Sequence, residues 1–549
     1  MVKRYSAIFE IVNQTFSDLL LLIGRTKQCN ERKMKRTLLS LKISTEWQLI
    51  LFFAIIKLAI HLFTNTNYEL HRDAYLYYAQ SEHLAWGYLA APPFIAVVGK
   101  FATLLFGNTI FGLRFFPAII GAANMIIIGL MVKELGGKKH AILLASIAFI
   151  LSPVFLHVNT MFQPVCFNQF FWLLSGYLIL LLTKRNDPKI WIWIGILFGV
   201  AFLNKYSIVF FGFAFVVSLL LSQYRKLFIS RYFLLGVGLG LVIIIPNLLW
   251  QYSHNWPVVY HMKELQETQL VHINIPDFLI SQVLMNLQAT ILWIPALFIL
   301  LFFKKERPYQ LFGFIYMIVI ITLILGHGKA YYSMGVYPII FVFGAYFIEK
   351  YLHKHIRLII VNIVTIMVVL FYVTMDYDGI PYYQFEQIRQ KDAFAWEDGL
   401  KHDFPQDMAD MTGWTEIAEK VNDVYLGLSS KEQENCDIFC YHYGQAGSIM
   451  FHGKKINIPQ PISFNGSFVF WAPEEITKDY IIWVHSDLGN DIEPDSFLTE
   501  NFQDVELKHV VDNSYFRENG TKIYFCKHPT EGLINYYSTK INERKDRYR

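Results

Sequence analysis

The sequence predicts an α-helical polytopic membrane protein, with about 11 transmembrane helices plus interfacial helices and a C-terminal extracytoplasmic α/β domain. Three observations predict it. Of the 549 residues, 54% are apolar and the mean hydropathy is +0.34, more than a soluble globular chain usually carries. Apolar stretches of membrane-crossing length recur until about residue 376 and then stop. Lysine and arginine fall in alternate loops between them, as cytoplasmic retention of basic loops requires.

Residues 1–44 read as a cytoplasmic N-terminal segment. Glu10 and Asp18 interrupt its apolar residues and no small-residue cleavage site follows, so it lacks the pattern of a cleaved signal. The basic run Arg32, Lys33, Lys35 and Arg36 precedes the first apolar span, and Met34 offers an alternative start. Spans are expected near 47–64, 110–132, 140–158, 167–183, 189–204, 206–223, 232–250, 284–303, 309–326, 333–349 and 356–375. The stretch 93–106 is short and opens at Pro92-Pro93, which suits a re-entrant or interfacial helix.

The basic loops around Lys139, Arg185, Arg225, Lys305 and Lys354 then share one side with the basic N-terminus. The first loop, 65–109, the turn at Asn204-Lys205, the turn at 326–332 and the region 377–549 are left on the other, extracytoplasmic side. The transmembrane domain is therefore 45–376. In 377–549, helical periodicity at 411–428, with Thr412 or Thr415 as caps, precedes strand-like runs at 437–442, 467–472, 480–485 and 522–527. That alternation predicts a small α/β domain.

Several chemistries are disfavoured. The net charge of +4 and the absence of basic-aromatic blocks argue against nucleic acid. No Walker or GxGxxG loop and no internal repeat is present. The five cysteines form no CxxC pair or zinc array; Cys436, Cys440 and Cys526 in the C-terminal region are read either as disulfide-forming or as buried thiols.

The first loop carries the chemistry. It reads His71-Arg72-Asp73-Ala74-Tyr75-Leu76-Tyr77-Tyr78, then Glu82-His83-Leu84-Ala85-Trp86-Gly87-Tyr88 and Pro92-Pro93. An acid at the mouth of a helix bundle among aromatic rings suits a general base, because partial desolvation raises its proton affinity. Glu82 and His83 are secondary candidates. Lys205 and Lys329 lie at helix ends, where a cation can meet an anionic headgroup.

The run Asp-x-x-Tyr-x-Tyr-x-x-x-x-His-Leu-x-Trp-Gly-Tyr followed by Pro-Pro, from Asp73 to Pro93, resembles the C-superfamily of membrane glycosyltransferases. The resemblance is to the family 39 group, which includes protein mannosyltransferases and lipid A aminoarabinose transferases. It continues through Gly112-Leu113-Arg114, Leu203-Asn204-Lys205-Tyr206, Gly328-Lys329-Ala330-Tyr331-Tyr332 and Tyr337-Pro338. It extends to Asp410-Met411-Thr412-Gly413-Trp414 and Tyr443-Gly444-Gln445-Ala446-Gly447 in the C-terminal region.

The resemblance implies transfer of one sugar, with inversion, from a polyprenyl-phosphate donor to an acceptor hydroxyl on a glycan, lipid or protein. Asp73 becomes the catalytic carboxylate. Lys205, Lys329, Arg72 and Arg114 become donor-phosphate ligands, and Tyr77, Glu82, His83, Trp86, Tyr331, Tyr332 and Tyr337 line the substrate pocket. The implied place is a bacterial inner membrane, with the site on the periplasmic side. Three departures stand out: Ala74 where the family has an Asp-Glu pair, Ala90-Ala91 before the double proline, and Thr160-Met161-Phe162-Gln163-Pro164 where relatives carry an acid. They disfavour a divalent metal, and no other cofactor is implied. A transporter or lipid flippase with an exported domain is the alternative, for which Lys57 and His61 in the first span are the ionisable candidates.

Overall fold

The computed structural model describes residues 44–357, 359–363, 381, 384–388, 394–486 and 494–548. The N-terminal segment 1–43, the distal part of the expected span 356–375 and the boundary at 376 lie outside the described residues. From Thr45 onward the chain forms one compact unit.

Six described helices are long and apolar enough to cross a membrane: Thr45–Thr64, Ile110–Leu135, Pro164–Arg185, Arg231–Ser253, Lys304–Leu325 and Ala330–Tyr351. Ile110–Leu135 shows how the ends are set. The Thr109 hydroxyl accepts the N–H of Gly112 at 3.0 Å, and Gly136 leaves the helix at a left-handed φ of 93°.

Not every expected span is a straight helix of full crossing length among the described residues. Ile190–Asn204 and Ile208–Leu221 have 15 and 14 residues, short of about 20 for a perpendicular crossing. Two further spans are broken: Lys139–Ile150 bends by 62° into Pro153–Thr160, and Ile275–Leu284 bends by 67° into Leu287–Phe302. The first break falls at Ser152-Pro153, where proline lacks the N–H that would continue the ladder. The two breaks cover one another: the Gln288 amide donates to the Leu151 carbonyl at 3.2 Å, and the Ser152 hydroxyl to the Met285 carbonyl at 3.1 Å. Irregular backbone at membrane depth needs such partners. The short stretch at 93–106 forms the 13-residue helix Phe94–Phe106.

At one end of the bundle the basic loops meet glutamates of neighbouring helices, as in Arg185 with Glu134 at 2.6 Å, Arg357 with Glu349 at 3.9 Å, and Lys350 with Glu306. The opposite end carries the first-loop helix Arg72–Glu82, and the C-terminal region packs on it.

That region contains a four-stranded sheet in the order Cys436–Cys440, Tyr480–His485, Lys522–Pro529, Phe502–Val510. The first pair is parallel and the others antiparallel. Two expectations fail here. Residues 467–472 are not a strand: Gly466 turns the chain at a φ of 58° and Gly466–Phe470 forms a 3-10 turn that buries Phe468 and Val469. The fourth strand is Phe502–Val510, whose mixed charged and apolar residues mark an edge strand with an exposed face.

The expected helix at 411–428 is Trp414–Leu426, but neither threonine caps it. Its N–H groups at Trp414 and Thr415 donate to the carboxylate of Glu69, at 2.7 and 3.1 Å. The first loop thus caps a helix of the C-terminal region. Cys166, Cys436, Cys440 and Cys526 are buried free thiols.

Candidate active site

Asp73 sits in the first turn of Arg72–Glu82, a helix started by His71, whose Nδ1 accepts the Asp73 N–H at 3.1 Å. The Gln163 amide lies at the same nitrogen, also at 3.1 Å. The other ring nitrogen, Nε2, faces Asp410 at 3.6 Å and Asp407 at 3.8 Å. With Nδ1 accepting, the proton of the neutral ring lies on Nε2. Burial opposes a second proton, but the Asp407 hydrogen bond and the Asp73, Asp410 and Asp407 charges outweigh it and raise the affinity of His71 for one.

The Asp73 side chain is 31% exposed and looks into a cavity of about 770 Å³ lined also by His157, Gln163, Lys329, Tyr331, Glu397 and Asp407. Its Oδ1 accepts the Tyr443 hydroxyl at 2.6 Å. Oδ2 has no hydrogen bond to a described residue, and His71 Nδ1 stands 3.9 Å from it. Burial and the Asp73 charge outweigh the Arg72 cation and hold the Tyr443 hydroxyl well above its ordinary pKa, so it remains a donor.

The predicted cations separate into two kinds. Arg72 is engaged, donating to Glu397 at 3.1 Å with its Nε 3.8 Å from Asp410. Arg517 completes the cluster on the same two acids, at 3.0 and 3.3 Å. Lys329 lines the cavity, donates to Gln269 at 2.6 Å and stands 3.6 Å from Glu397. Arg114 is turned away from the cavity and donates to the carbonyls of Asn65 and Tyr68 at 2.9 Å, bracing the first loop.

Lys205 differs. It lies in the turn between Ile190–Asn204 and Ile208–Leu221, its ammonium 5.1 Å from the Tyr332 ring centre and 5.8 Å from that of Tyr331. No carboxylate of a described residue lies within ion-pair distance of it. Burial, then the nearby Lys329 cation, lower its pKa to about 8 against the pull of Asp73.

The aromatic predictions scatter. Tyr77 is close to Asp73 and Tyr332, and Tyr331 lines the cavity. Tyr337 is buried in the bundle, bonded to Gln282 at 2.9 Å and Tyr316 at 3.0 Å. Glu82 pairs with Lys100 at 3.0 Å and with Lys454, and His83 stacks on Trp471. Trp86 lines a separate apolar groove of about 300 Å³ with Phe94, Val97 and Leu203.

Glu397, Asp410, Arg517 and Tyr443 join the site from more than 300 residues downstream. Asp410 and Tyr443 lie in the Asp410–Trp414 and Tyr443–Gly447 motifs, whereas Glu397 and Arg517 lie in no motif. Among the described residues no three His, Cys, Asp or Glu side chains are arranged to hold a metal ion.

The family model for dolichyl-phosphate-mannose-protein mannosyltransferase matches residues 90–250. Lipid A galacturonosyltransferase RgtD of Rhizobium johnstonii is 25% identical over 233 residues, 41% of this chain and 47% of that protein. The chain thus spans about half the length of this curated relative. Crystal structures of ArnT from Cupriavidus metallidurans superpose over 88% of this chain and 98% of theirs. The TM-score is 0.57 at 13% identity for the form bound to undecaprenyl phosphate, and 0.56 at 12% for the apo form. The local sequence match thus covers residues 90–250, and the overall fold is similar to that of the ArnT structures.

Proposed function

We propose that the protein transfers a single sugar from a polyprenyl-phosphate donor to a hydroxyl of a lipid or glycan acceptor, on the extracytoplasmic face of a bacterial inner membrane. The observation that carries this reading is Asp73 at the cavity, with one oxygen held by Tyr443 and the other without a hydrogen bond to a described residue, and near it Lys205, which has no carboxylate of a described residue within ion-pair distance. The RgtD and ArnT likenesses support a lipid acceptor and an undecaprenyl-phosphate carrier.

Asp73 Oδ2 takes the acceptor proton as the acceptor oxygen bonds to the anomeric carbon. The bond from that carbon to the phosphate oxygen breaks, and its electron pair leaves with the lipid phosphate. Attack from the face opposite the phosphate inverts the anomeric centre. Lys205, set against Tyr331 and Tyr332, stabilises the charge on the departing phosphate, with Lys329 as a second, partly neutralised cation. Arg72 and Arg114 act instead through structure, since carboxylates and carbonyls already occupy them. A common enclosure for donor and acceptor supplies orientation.

Asp73→Asn keeps the shape and removes the base, so transfer should fall about a hundredfold or more while undecaprenyl-phosphate binding persists. Envelope lipids and glycans from cells with the wild type, the variant or no protein, compared by mass spectrometry, check this. A variant that restores the full sugar mass increment would remove Asp73 from the mechanism.

A further inference from the structure

We infer that the C-terminal domain contributes a positioning residue to the active site: the Tyr443 hydroxyl orients Asp73 for proton abstraction. The inference rests on the proposed transfer reaction and deepens it. The contact is short, 2.6 Å, and joins residues 370 positions apart in the chain.

Tyr443 is itself held on several sides. It opens the helix Tyr443–Gly453, which has a capping box: His442 Nδ1 accepts the Gly444 N–H at 3.1 Å, and Gln445 Oε1 accepts the His442 N–H at 3.2 Å. The His442 ring packs on the Tyr443 ring at 4.0 Å between centres, and the Gln445 amide donates to buried Glu518 at 2.7 Å. Gly447 lets this helix approach Arg72–Glu82 at backbone distance, because a Cβ there would stand 2.7 Å from the Tyr75 carbonyl oxygen. The hydroxyl is therefore delivered by a fixed frame.

Its placement has a chemical consequence. Arg72 Nε stands 4.0 Å from the same Oδ1, and the Arg72 guanidinium lies over the Tyr443 ring at 5.7 Å. Tyr443 thus donates to the same oxygen that stands in a long ion pair with Arg72, and its ring packs against that guanidinium. With Oδ1 held from both sides, Oδ2 is the oxygen left for the acceptor proton. A base whose lone pair is fixed before substrate arrives loses less orientation in the transition state. Tyr443 touches Asp73 in this account and not the reacting atoms.

The test is a double-mutant cycle in full-length protein. Wild type, Tyr443→Phe, Asp73→Asn and the double variant are expressed in cells lacking the native copy. The rate of appearance of the envelope mass increment is normalised to folded protein, and undecaprenyl phosphate is titrated onto each purified variant. Tyr443→Phe should slow modification about tenfold with undecaprenyl-phosphate affinity within about twofold of wild type, and cost less than about twofold more in the Asp73→Asn background. Replacing Tyr443 with 4-aminophenylalanine, which restores an N–H donor on the same ring, should recover at least half the lost rate. It also separates loss of the hydrogen bond from loss of fold.

A wild-type rate for Tyr443→Phe beside a crippled Asp73→Asn overturns the inference and leaves the transfer reading intact. Equal losses in both backgrounds, or no recovery with 4-aminophenylalanine, also overturn it. A wild-type rate for Asp73→Asn removes Asp73 as the base and the inference with it, whereas the absence of any mass increment from wild-type protein overturns the transfer reading itself.

Discussion

At the scale of single residues, ion pairing divides the cations of the site by role. Glu397 and Asp410 occupy Arg72 and Arg517, and Glu397 reaches Lys329; Lys205 has no carboxylate of a described residue within ion-pair distance. Lys205 should therefore set the alkaline limb of activity. With its pKa lowered to about 8 by burial and by Lys329, it loses its charge well below the pH at which an ordinary lysine does. Affinity for an anionic donor then falls as pH rises through about 8. The pH profile of kcat/KM, which reports the free enzyme, should bend there in wild type. In Lys205→Arg the bend should disappear, since a guanidinium stays charged, though a planar fork lowers the plateau.

Glu397 gives the acid counterpart. Burial would raise its carboxyl, but Arg72, Arg517 and Lys329 outweigh burial and hold it at about 2 against an ordinary 4.5. A depressed carboxyl adds stability that is fully present above the ordinary value and is lost as pH falls through the folded one. Thermal stability should thus decline between about pH 4.5 and 2, and Glu397→Gln should flatten that decline. The same change leaves Arg72 and Arg517 short of charge and should cost about 3 kcal/mol at neutral pH, read by denaturation in detergent. Asp73 could be singled out in the sequence because an acid among aromatics at a loop between spans suits a general base. Glu397, Arg517 and the role of Tyr443 could not, since no local pattern joins them to residue 73 and only the tertiary contact does.

At the scale of elements, the first loop and the C-terminal region are built into each other. Glu69 caps Trp414–Leu426, Arg114 braces the loop carbonyls, and Gly447 admits a helix against Tyr75. Gly447→Ala should then act through geometry. The added methyl meets backbone, not a yielding side chain, so the helix Tyr443–Gly453 must shift and carry Tyr443 off Asp73. A loss of about 1–3 kcal/mol in stability is expected, together with a tenfold or greater drop in transfer. A control at half-buried Gly520, whose φ is 86° with open space where a Cβ would stand, should lose stability through strain without losing transfer. Helix positions were readable from apolar length and capping residues. The breaks were less so: Ser152-Pro153 signals the first, whereas the second, after Leu284, carries no proline or glycine and becomes intelligible only where Gln288 reaches Leu151. The run 467–472 misled because its apolar density fits a strand and a buried 3-10 turn equally.

At the scale of the whole molecule, sidedness decides the chemistry. Two independent patterns agree on it. Basic loops pair with glutamates at one end of the bundle, and the first loop and the C-terminal region dock at the other. Because the docking surface includes the Asp73–Tyr443 and Glu69–Trp414 contacts, the C-terminal region and the first loop must share a side of the membrane. Under the proposed reading, with basic loops retained in the cytoplasm, that side is the extracytoplasmic one. A reporter that works only outside the cytoplasm should be active when fused after Asp546 and silent at Lys139 or Lys305. A cytoplasm-only reporter should give the mirror result. Both fusions retain the full set of preceding spans, so each reads the membrane crossing count directly. The reverse pattern would put the cavity and Asp73 in the cytoplasm. There, soluble nucleotide sugars would compete with lipid-linked donors, and the case for a polyprenyl-phosphate leaving group at Lys205 would fail.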